Sequence, residues 1–153
     1  MLKRSWYLPD TDWISQLPGA PKLDKDGQAV IARLAEMLSH RFPGDPALTV
    51  AATHVVLLAA DYLGDTTSHH TRCHDLTEVA RLICGLNLVQ AHLTQTIQRI
   101  AMNTDARAYP GTVEVPAELL RAVTDSLSTA GVNSELLAAH LKEAHLLLRR
   151  REQ

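Results

Sequence analysis

The chain has 153 residues, 46% apolar and 21% charged, with a formal net charge of -2. That length suits one domain able to bury a core, and the near-neutral balance supplies no general attraction for nucleic acid or anionic lipid. Nucleic acid and membrane are therefore set aside as partners, and the closing Arg149, Arg150 and Arg151 are read as cations at the negative end of a last helix.

Residues 1–23 differ from the rest. Trp6, Tyr7 and Trp13 fall here, prolines stand at positions 9, 18 and 21, and helical periodicity is missing, so the stretch reads as an extended arm before a single helical domain over 24–153. Lys3 and Arg4 precede no apolar run of signal-peptide length and no later stretch reads as a membrane span, which sets a cytoplasmic expectation. Indole rings bury large areas and seek a partner for their N–H, so the arm is expected to dock on helical surface through Trp6 or Trp13.

Asp24 or Asp26 can cap a first helix that gathers Val30, Ile31, Leu34, Met37, Leu38 and Phe42 on one face, with Arg33, Glu36 and His40 opposite. Pro43 and Gly44 stop it. Asp45 and Pro46 then form a cap and a first-turn proline for a second helix reaching about Leu63, before Gly64. Its apolar residues cover most of the circumference, so it is expected to be the most buried element.

A polar loop over 65–74 follows. Asp75, with Glu78 in capping-box position, opens a third helix to Met102, whose Val79, Leu82, Ile83, Leu86, Val89, Leu93, Ile97 and Ile100 form the expected core stripe. On its outer side Arg81, Leu88 and His92 surround Gly85. A glycine inside a helix costs about 1 kcal/mol relative to alanine, so this position reads either as a place where another segment, such as the arm, comes close to the backbone or as drift at a tolerant surface site. With Trp6 and Trp13, these four residues make the candidate partner-binding set.

Pro116 opens a fourth helix with Leu119, Leu120, Val123, Leu127 and Ala130 on one stripe, Gly131 ends it, and Asn133 or Ser134 caps a fifth. The fold is therefore expected to be all-α, an antiparallel bundle of about five helices with an extended N-terminal arm. His140 lies among leucines on the last helical wheel and reads as a core histidine with one hydrogen-bond partner.

The loop over 69–74 is the one cluster of metal-ligand types. Wound as helix, His70 and His74 would be i,i+4 neighbours with Cys73 beside them, a partial zinc site lacking a fourth ligand of matching spacing. Cys73 and Cys84, about 16 Å apart if helical, are expected to be reduced thiols. Phosphate loops, zincin motifs, nucleophile elbows and Glu-x-x-His repeats do not occur in the sequence, and no cofactor is expected. The resulting expectation is a non-catalytic helical module that binds protein, most simply a second copy of itself. The alternative is a small-ligand or metal-responsive regulator using the histidine loop.

Overall fold

Four helices make up the described chain: α1 (Lys25–Ser39), α2 (Pro46–His70), α3 (Leu76–Asn103) and α4 (Ala117–Arg149). The computed structural model describes residues 2–8, 23–39, 45–70, 76–104 and 115–150, with the side chains of 66 and 68–70 left aside, and no strand occurs among the described residues. The all-α class is as expected, while the expected five helices are four.

Local chemistry sets the helix starts. Asp24 accepts the Gly27 N–H at 2.7 Å and Asp45 accepts the Ala47 N–H at 2.9 Å, satisfying first-turn donors that have no partner inside the helix. Asp75 lies outside the described residues. α2 runs through Gly64 to His70, beyond its expected end, and the Thr67 hydroxyl donates back to the Leu63 carbonyl at 2.8 Å. Gly131 likewise ends nothing: α4 continues through it, merging the two helices expected on either side.

The chain divides into two compact units, residues 21–75 and residues 1–20 with 76–153. In the first, α1 buries no residue, and Arg33 and Glu36 pair at 2.8 Å on its polar face. α2 corrects two expectations. None of its Pro46–Asp65 stretch is buried, and these 20 residues are long and apolar enough to cross a membrane. Apolar residues around a whole circumference fit a core helix and a membrane span alike.

The second unit is built on α3 against α4, the one extensive helix–helix packing among the described residues. The pair is antiparallel: Ala80 meets His145, Asn87 meets Ala138 and Thr104 meets Thr124. On α3 the buried residues are Ala80, Arg81, Cys84, Asn87, Ala91, Thr94 and Ala101. Apart from Arg81 they step by four and three residues, with half-buried Gln98 filling the remaining position. On α4, Gly131, Ala138 and His145 are buried seven residues apart, with half-buried Ser134 and Leu141 between them and half-buried Leu127 one turn before. A seam repeating every 3.5 residues keeps two helices in register along their length.

This seam lies one residue, or about 100° of helix, beyond the stripe expected from the leucines. Leu86 and Leu93, expected in the core, are 36% and 41% exposed. Arg81, expected on the outer side, is buried. The physical reason is the size of the seam residues. Alanine, glycine, cysteine and threonine let two backbones approach closely, and a Cβ added at Gly131 would stand 3.0 Å from Cγ of Gln98. His140 is exposed beside Glu143 at 3.8 Å, and the core histidine is instead His145.

Candidate functional site

Asn87 is fully buried at a seam position. Its Oδ1 accepts the Leu8 N–H at 2.9 Å, and its Nδ2 donates to the Trp6 carbonyl at 2.8 Å and to the Ala138 carbonyl at 2.7 Å. A buried primary amide is costly unless its donors and acceptor are engaged. Here both Nδ2 protons and the oxygen are used, and two of the three bonds hold the backbone of the arm.

The arm supplies the apolar half of the site. Trp6 is buried on Ala91 and Ala138, with Leu2 and Tyr7 packed against the cluster, and Leu8 is buried too. Ala91 lies one helical turn after Asn87, so a single face of α3 offers an amide clamp and then a notch without bulk. The Trp6 backbone N–H closes a turn onto the Lys3 carbonyl at 3.0 Å. That turn brings the Lys3 ammonium 4.8 Å from the centre of the Trp6 ring, within cation–π range.

Polar contacts rim the notch. Lys3 Nζ stands 3.6 Å from Oε1 of Glu135, the same oxygen that accepts the Gln98 amide at 2.6 Å, and Lys142 Nζ donates to the Arg4 carbonyl at 3.2 Å. Lys3 is largely exposed, so its pairing with Glu135 orients the segment more than it stabilises it. Further along the seam, His145 Nδ1–H donates to the Ala80 carbonyl at 2.8 Å, while its buried Nε2 has no hydrogen-bond partner.

Of the residues singled out in the sequence, Trp6 forms the centre of this site. Gly85 and Leu88 are half-buried, Arg81 is buried and His92 is exposed, and the indole rests on Ala91 and Ala138. Trp13, Cys73 and His74 lie outside the described residues, as does the side chain of His70. Cys84 is a buried thiol outside any disulfide. No group of three or more metal-ligating side chains occurs among the described residues. Sequence reading missed Asn87, whose signal was an amide amid small residues at 80, 84, 91 and 94. The arrangement holds a peptide segment; it sets no nucleophile beside a base.

No protein family, curated protein or solved structure matches the chain.

Proposed function

We propose that this chain is a non-catalytic helical module that works by binding protein, most simply a second copy of itself. The observation that carries the reading is the displaced leucine stripe. Small residues close the α3–α4 seam, which leaves Leu86, Val89, Leu93 and Ile100 on α3 and Leu136, Leu137 and Leu147 on α4 exposed. Isolated exposed leucines are ordinary, but a stripe along a helix is an association surface. Symmetric self-pairing is the simplest closure, because one patch then covers its own copy.

Light scattering over a concentration series tests the reading. The full chain should show a mass above that of one copy, and Leu93→Glu with Leu136→Glu should return it to one copy with unchanged helical circular dichroism. A full chain that stays at one copy throughout would overturn it. A cytoplasmic location belongs to this proposal.

α2 favours a second reading, in which its Pro46–Asp65 stretch inserts in lipid. Asp61 and His54 within that stretch oppose insertion. Flotation of the chain with phosphatidylcholine vesicles, abolished by Leu57→Lys with Leu58→Lys, would support it. A chain that stays at the bottom of the gradient would exclude it.

A further inference from the structure

We propose that the Asn87 notch is a peptide-binding slot whose resident ligand, the segment from Lys3 to Leu8, is exchanged between copies of the chain. The inference rests on the self-association proposed above. It starts from how the segment is held. Asn87 takes one backbone N–H and one backbone C=O from residues two apart, as a neighbouring strand would, so the clamp reads main chain and not side chain. Selectivity then falls on Trp6, the buried ring that clusters with Ala91 and Ala138, with half-buried Tyr7 packed beside it. The ligand class is a short segment with tryptophan, an apolar residue two places later, and a lysine three places earlier to meet Glu135.

None of these contacts depends on the segment and the slot belonging to the same chain. Trp6, Leu8, Asn87, Ala91 and Ala138 would meet identically if the arm came from a neighbouring copy, so the two arrangements differ only in the effective concentration of the arm. Association through the leucine stripe raises that concentration for a neighbour's arm, and exchange of an identical element is an inexpensive route to a joined pair. Asn87 also explains why the slot is specific to a chain segment. With the arm in place, its Oδ1 and one Nδ2 proton are met by an N–H and a C=O two residues apart, which a chain segment supplies; with the arm gone, water takes those places and the burial of Trp6 and Leu8 is lost.

Two full-length chains test the exchange, both with Trp13→Phe so that Trp6 is the sole indole. One carries Asn87→Ala and keeps its arm; the other carries Trp6→Ala with Leu8→Pro and keeps its slot. Alone, the first should emit as solvated indole. Adding the second should shift that emission to the blue with saturation, as Trp6 enters the neighbour's notch. Association in light scattering without the shift would overturn exchange alone, whereas no association at all would overturn the reading beneath it. Buried emission from the Asn87→Ala chain by itself would also count against the clamp.

A second measurement does not depend on how the Asn87→Ala chain folds. A C-terminally labelled peptide of residues 1–8 is titrated into the slot-bearing chain and followed by anisotropy. It should bind saturably, and the same peptide with Trp6→Ala should bind about thirtyfold more weakly or worse, the effect of losing an aromatic anchor. Absence of saturable binding, or equal binding by both peptides, would overturn the proposal.

Discussion

Two faces of α3, a single residue apart in register, have opposite fates. The face through Cys84, Asn87, Ala91 and Thr94 is buried against α4, while the face through Leu86, Val89 and Leu93 is exposed. By hydrophobicity alone the second should have won, since burying a leucine contributes about 1.5–3 kcal/mol and burying an alanine far less. What decides is distance. Small side chains bring the two backbones close enough for Asn87 to reach the Ala138 carbonyl and for His145 to reach that of Ala80. The larger residues are then left on the outer surface of the pair. Helix pairing and helix-face hydrophobicity are separate properties, and in this chain they fall on different faces.

The largest effect is expected at Trp6. Trp6→Ala should destabilise the α3–α4 unit by about 3–5 kcal/mol in urea denaturation, the usual cost of truncating a buried aromatic ring. A loss below about 1 kcal/mol would mean that the arm adds nothing to the seam. Asn87→Ala comes next, at about 1–3 kcal/mol, because the arm loses the amide that clamps its backbone and the Ala138 carbonyl loses a donor. Calorimetry of that variant should show a lowered midpoint with a helical folded baseline.

On the other face the effects should shrink. Leu86→Ala and Leu93→Ala should each cost under about 1 kcal/mol when measured at dilute concentration, as expected of partly exposed positions. Losses of 2 to 5 kcal/mol, about the range for buried leucine, would restore the leucine stripe as the core. Smallest of all is Gly131→Ala. The gain in helix propensity, about 1 kcal/mol, opposes the displacement of Gln98, whose Cγ would stand 3.0 Å from the new Cβ. Thermal melting should show a net change of about 0.5 kcal/mol or less, and a large loss would mean that Gln98 cannot yield.

How far the fold was legible follows the range of each signal. The caps at Asp24 and Asp45 and the turn-opening Pro46 were readable, because a carboxylate two or three residues before its N–H is a local matter. Gly131 was misread as a stop because a helix-ending glycine and one needed for close packing look alike within a single helix. Only Gln98, on the other helix, distinguishes them. His140 and His145 were confused for the same reason: a wheel centred on leucines points to the former, and a wheel centred on Gly131 and Ala138 points to the latter. Trp6 was legible as an anchor, while its receptor was not, because Asn87 lies 81 residues away in sequence.

The central claim, that the small-residue face is inside and the leucine face outside, is tested most directly by thiol labelling at two positions of α3. In a Cys73→Ala background, the natural Cys84 is compared with a chain carrying Leu86→Cys and Cys84→Ala, both dilute and both native. Position 86 should react at the rate of a solvated thiol and slow as the chain is concentrated, while Cys84 should react only as fast as the unit opens. Rapid labelling of Cys84 together with protection at position 86 in dilute solution would contradict the claim.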